Sequence, residues 1–65
     1  VKNVKVSKIL RDLDKDGWKL DRYRGSHREF KHPTKKGVVT VNGGKDDVIW
    51  GFLLKSIQRQ SGLEF

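Results

Sequence analysis

Apolar residues recur at Val6, Ile9, Leu10 and Leu13, the i, i+3, i+4, i+7 spacing of a one-faced helix, and Gly17 follows where a left-handed stop is needed. Ser7 stands where it can cap this helix. Beyond Gly17 the period changes from 3.6 to 2. Trp18, Leu20 and Arg22 alternate with Lys19, Asp21 and Tyr23, as in a strand with one covered face, and Arg24, Gly25 and Ser26 supply a turn. In a second strand, His27 to His32, the set His27, Glu29 and Lys31 alternates with Arg28, Phe30 and His32. Phe30 is its core anchor, so His27 points away from the core. Pro33 to Gly37 is turn chemistry, and the β-branched run Val38 to Val41 reads as a third strand broken by Asn42, Gly43 and Gly44. Asp46 or Asp47 can cap a second helix with an apolar stripe of Ile49, Phe52, Leu53 and Ile57, ended by Gly62. Gly51 inside it costs about 1 kcal/mol against Ala. Trp50 departs from the stripe and suits an aromatic anchor for a protein partner.

The predicted order is α-β-β-β-α. This is an α+β domain, a three-stranded antiparallel sheet with two helices on one face and the other face left to solvent or ligand. Residues 1–65 make one domain, since a chain this short buries only about 60% of the surface its unfolded form exposes. A deep pocket for a large cofactor is not expected, and no cofactor is assigned.

Charge picks out the face. Residues 22–36 hold Arg22, Arg24, Arg28, Lys31, Lys35 and Lys36 against the single acid Glu29, in a chain of net charge +7. A polyanion is the indicated partner, RNA or DNA before an anionic membrane surface, because the cations fall on a strand-and-turn region and not along an amphipathic helix. The competing account is a solvated charged face that binds nothing. The chain has no Cys, which excludes a disulfide scaffold, a thiolate nucleophile and a Cys-based zinc site. No apolar run approaches the roughly 20 residues of a membrane span, and Val1 to Leu10 lacks the apolar core of a signal peptide, so the cytoplasm is the expected location.

Gly25-Ser26-His27 carries the candidate chemistry, an imidazole, a hydroxyl and a flexible backbone N–H beside arginines at a strand edge. An imidazole ordinarily titrates near 6.5, so a histidine can take a proton from a ribose 2′-hydroxyl or give one to a 5′-leaving oxygen near neutral pH. Arg24, Arg28 and Lys31 can stabilise charge building on the phosphorus, and Ser26 suits a phosphate contact. Glu29 shares the strand face of His27 and can orient it, or serve only as a cross-strand charge partner. His32, before Pro33 and on the opposite face, reads as a structural histidine at the strand end. Two histidines on opposite faces with scattered carboxylates give no metal-ligand spacing, so no metal is assigned. Asn42-Gly43-Gly44 lacks the Lys-Ser/Thr of a P-loop and reads as a turn. Tyr23 is the aromatic best placed for a base contact.

The segment from Gly25-Ser26-His27 through Phe30-Lys31-His32-Pro33 to Gly37 strongly resembles the core of the HicA toxins, small mRNA interferases of bacterial toxin–antitoxin pairs. The likeness begins at Lys15-Asp16-Gly17-Trp18, runs through the third strand, and ends with Lys55-Ser56-Ile57-Gln58-Arg59-Gln60-Ser61-Gly62-Leu63. The resemblance implies a fold similar to the double-stranded-RNA-binding domain, with His27 as the catalytic residue of a metal-independent endoribonuclease. Arg24, Ser26, Arg28, Lys31, Lys35 and Lys36 are then the RNA-binding set, and a HicB-type antitoxin blocks the site and relieves growth arrest. The chain departs from the family pattern at Asn42-Gly43-Gly44 and at Trp50-Gly51-Phe52-Leu53-Leu54. The alternative reading is a non-catalytic RNA-binding module, which needs the same basic face but no histidine. A pure protein-interaction domain is a third, distinguished by salt-insensitive affinity.

Overall fold

In the computed structural model, which describes residues 2–65, the first helix, α1 (Val6–Asp16), buries Val6, Ile9 and Leu13 completely and Leu10 in part. Its apolar spacing is therefore expressed as expected. Its cap is not. The helix begins one residue before Ser7, and no side chain caps it. The N–H groups of Val6 and Ser7 instead donate to the backbone carbonyls of Asp47 (2.9 Å) and Lys45 (3.2 Å). Those orphan donors are satisfied by a loop distant in sequence, which local capping rules do not anticipate. The C-terminus follows the sequence closely: Gly17 has φ 104°, its N–H donates to Asp14 O (3.1 Å), and Trp18 N–H donates to Leu13 O (2.9 Å). This is a Schellman stop, and it sets Trp18 directly into the core at 1% exposure.

Strands β2 (Lys19–Arg24), β3 (His27–Lys31) and β4 (Val39–Val41) form the expected antiparallel sheet in that order, slightly shifted from the predicted bounds. Phe30, Val39 and Val41 point from it into the core against the helices. Within β2 the simple alternation fails. Leu20 pairs with Phe30, but Arg22 and not Asp21 pairs with Glu29, so a bulge lies between Leu20 and Arg22. The extra residue flips the rest of the strand. Tyr23, opposite Arg28, joins the helix-facing side, whereas Arg22 and Arg24 join the open side with His27, Glu29 and Lys31.

Two short strands that the pattern did not announce, β1 (Val4–Lys5) and β5 (Val48–Ile49), pair antiparallel, with Val4 opposite Ile49 and Lys5 opposite Val48. Val4 and Ile49 are buried and Val48 is exposed. This corrects the predicted second helix. Helix α2 (Gly51–Ser61) starts later than either aspartate, follows Trp50 without a side-chain cap, and leaves Ile49 in a strand. Its inward face is Leu54, Ile57 and Ser61, while Phe52 and Leu53 are exposed. Gly51 opens the helix, so the interior-glycine cost does not arise. Asp47 has another task, accepting the Gly44 N–H at 2.8 Å to close the loop between β4 and β5. The chain end also packs: Phe65 is 5% exposed, with Lys8 Nζ 5.8 Å from its ring centroid.

The C-terminal ends of both helices are tied to one end of the sheet. His32, just past β3, bonds to Asp16 O at 2.7 Å, and Lys35 Nζ donates to Asp16 Oδ2 (2.6 Å) and Ser61 O (3.1 Å). The β2–β3 turn is left free at the opposite end.

Candidate functional site

Arg24 and His27 face each other across the sheet and close the two-residue turn Gly25–Ser26. Gly25 has φ 63° while no described non-glycine residue has positive φ. A left-handed first turn residue followed by a right-handed second suits the twist of a hairpin, and a side chain at the first position would be strained. This local chemistry makes His27 the first residue of β3, exposed on the open face at the hairpin tip.

Glu29, two residues on, is the anchor of the charge arrangement. Arg22 Nε donates to Glu29 Oε1 at 2.8 Å, and Arg24 Nε lies 3.7 Å from Oε2, with the Glu29 side chain only 14% exposed. The predicted choice for Glu29 is thereby resolved in geometry: it holds arginines and does not bond the imidazole. Its carboxyl is held below the usual range, first by the Arg22 hydrogen bond, and Arg22 is raised in turn by the same bond. Two guanidinium groups are thus fixed on the face that carries His27. Lys31 extends the row, opposite Lys19 and 3.8 Å from Asp21.

The structure separates the remaining predicted cations from this cluster. Ser26 is exposed in the turn itself. Arg28 lies on the helix-facing side, and its Nη1 donates to Gly43 O at 2.6 Å, tying the Asn42-Gly43-Gly44 loop to the hairpin. Lys35 is engaged with Asp16 and Ser61, and Lys36 is exposed in the loop after His32. At about 3.4 Å per strand residue, the His32 end lies roughly 17 Å from His27, too far for one phosphate to touch both. Arg22 was missed as a site residue because only the bulge brings it to the open face. No local sequence signal marks that bulge.

His32 takes the structural role expected of it. Its Nδ1 accepts the N–H groups of Thr34 and Lys35, each at 3.1 Å, which leaves the proton on Nε2 to be donated to Asp16 O. The ring also meets Trp18 edge-on, centroids 5.1 Å apart.

The Asp16 carboxyl, like that of Glu29, is held below the usual range, chiefly by its hydrogen bond from Lys35. A carboxylate with a depressed folded pKa adds stability above its unfolded value, about 3.9 for Asp and 4.3 for Glu, and loses it as pH falls through the folded value. The melting temperature should therefore be insensitive to these groups between about pH 5 and 7 and fall below about pH 4. In a melting series against pH, Asp16→Asn should flatten that acid limb. An unchanged limb would remove the Asp16–Lys35 pair from the account.

Among the described residues no three His, Cys, Asp or Glu side chains gather as a metal-ligand set, and no helix is long and apolar enough to cross a membrane. A family model described as HicA toxin of bacterial toxin-antitoxin matches residues 6–63. The chain belongs to the HicA toxin family. As a HicA-family toxin it is one half of a toxin–antitoxin system, which implies a protein partner. The match runs from the first residue of α1 past the end of α2, and so takes in the Gly25-Ser26-His27 turn, the Glu29 cluster and the exposed start of α2 in this toxin. A search of curated proteins gives no match.

Proposed function

We propose that this toxin is a metal-independent endoribonuclease that cleaves mRNA in the cytoplasm with His27 as its acid–base residue, and that a HicB-type antitoxin neutralises it. The observation that carries the reading is an exposed histidine at a hairpin tip whose only neighbouring carboxylate is already committed to two arginines on the same face. Such a histidine has no structural task, in contrast to His32. It stands where a polyanion would lie.

In the proposed reaction the imidazole of His27 takes the proton of a ribose 2′-hydroxyl. The 2′-oxygen forms a bond to the adjacent phosphorus, the bond from phosphorus to the 5′-oxygen breaks, and the leaving oxygen takes a proton from solvent. The products are a 2′,3′-cyclic phosphate and a 5′-hydroxyl end. Arg24 and Arg22, held in place by Glu29, offset the charge that develops on the phosphoryl oxygens. Lys31 and Ser26 contact the neighbouring backbone. Lys35 and Lys36 would reach only RNA that runs on along the sheet, and Arg28 acts chiefly by holding the Gly43 loop.

This arrangement predicts that Arg22→Ala weakens RNA binding about equally for all sequences and reduces the slope of log affinity against log salt by about 1, the value for one lost phosphate contact. Fluorescence anisotropy with a labelled single-stranded RNA over a salt series reads both quantities. An unchanged slope would take Arg22 out of the interface. Binding that survives in full with cleavage absent from the wild-type protein would favour the RNA-binding module instead.

A further inference from the structure

Helix α2 turns its least polar surface outward. Phe52 is 90% exposed, Trp50 60% and Leu53 55%, and on the adjoining strand Val48 is 49% exposed. Phe52 lies on the side of α2 opposite Leu54, Ile57 and Ser61, so no rearrangement of the core can cover it. Strand alternation places Val48 and Trp50 on one side with Ile49 inward, which joins the end of β5 to the start of α2 as one patch. Two shallow grooves flank it: one of ≈ 310 Å³ lined by Lys2, Gly51, Leu54, Lys55 and Gln58, and one of ≈ 210 Å³ lined by Trp50, Gly51, Phe52 and Lys55. Lys2 and Lys55 are the only charged residues in their linings, and among the described residues neither they nor Lys5, opposite Val48, form an ion pair.

We propose that the Val48–Trp50–Phe52–Leu53 patch is the anchoring surface for the antitoxin, which docks there through a segment that carries apolar anchors and flanking carboxylates. The inference rests on the membership of a toxin–antitoxin family and not on the ribonuclease reading. Exposed aromatics in a small cluster are what protein interfaces use as hot spots, and a contiguous patch of this kind on a small chain marks an interaction site. Charge selects the occupant. A second copy would bring its own Lys2, Lys5 and Lys55 to the same rim, and each chain carries a net charge of +7. A lipid surface is served by a long helix with a cationic polar face, whereas α2 has only 11 residues and its inner side is packed on the core. An acidic protein segment satisfies both the apolar grooves and the free lysines. It also grips the toxin through residues separate from the His27 cluster, so neutralisation has a foothold of its own.

The test uses the antitoxin encoded beside this chain, purified alone and titrated calorimetrically into the full chain, its Phe52→Ser variant and its Lys55→Glu variant. Both substitutions are at exposed positions, and thermal melts confirm folding. Each should weaken binding by about 30-fold or more, while RNA affinity stays at the wild-type value. Unchanged affinity in both variants overturns the proposal. So does concentration-dependent dimerisation of the wild type that Phe52→Ser abolishes in sedimentation, or binding to phosphatidylglycerol vesicles that Phe52→Ser abolishes. If no protein cleaves RNA, the ribonuclease reading fails, and the calorimetric comparison still decides this one.

Discussion

His27→Ala is expected to abolish RNA cleavage and growth arrest while leaving the fold and RNA binding close to wild type. General acid–base catalysis contributes about 10²–10⁴-fold to rate, so the residual activity should fall by at least about a hundredfold. The side chain is exposed on a solvent-facing sheet, and substitutions of that kind usually change stability by no more than about 0.5 kcal/mol. Affinity should survive because Arg22, Arg24 and Lys31 remain on the open face. Binding isotherms, melts and expression-induced growth arrest, measured on one pair of proteins, separate the three quantities. Loss of binding together with cleavage would make His27 a contact residue and no more.

Trp18→Ala is expected to have the largest effect on stability. Trp18 is 1% exposed, its ring packs edge-on with His32, and its Nε1 donates to Asp16 Oδ2 at 3.1 Å. Truncating a buried aromatic to alanine costs about 3–5 kcal/mol. A domain of 65 residues has a total stability of only about 3–10 kcal/mol, so this one change removes a third of it at best and all of it at worst. It also strips a partner from His32, which fixes the junction of α1 with the strand end. Urea unfolding should show a large fall in midpoint or no cooperative transition at all. A midpoint close to wild type would mean that Trp18 does not hold the core.

Much of the fold was legible because its signals are local. The Val6, Ile9, Leu13 spacing, the Gly17 stop and the Gly25–Ser26 turn are read from neighbouring residues, and each appears where expected. What was not legible depends on distant partners. The N-terminus of α1 is satisfied by carbonyls at Lys45 and Asp47, so Ser7 has no orphan donor left to serve. Ile49 matches a helical stripe in spacing, but pairing with Val4 buries it as a strand residue, and the helix that follows turns Leu54 inward in place of Phe52 and Leu53. The bulge before Arg22 is likewise a matter of register between strands. At the site, the sequence marked His27 and Arg24 correctly as neighbours on the hairpin, since a two-residue turn fixes their pairing. It grouped Arg28 with them by proximity along the chain, and strand alternation puts Arg28 on the other face.

The geometry also explains why two histidines five residues apart have different fates. His32 uses both ring nitrogens internally, accepting from two backbone N–H groups and donating to Asp16. His27 lies beyond the covered part of the sheet, where no backbone needs an acceptor, and the nearby carboxylate serves arginines.

The most direct test of the central claim is to incubate the purified toxin and its His27→Ala variant with a mixed RNA in EDTA and map the ends of any fragments. The account predicts cleavage by the wild type alone, with 2′,3′-cyclic phosphate and 5′-hydroxyl ends. Equal cleavage by both proteins, fragments bearing 3′-hydroxyl and 5′-phosphate ends, or no cleavage by either would contradict it.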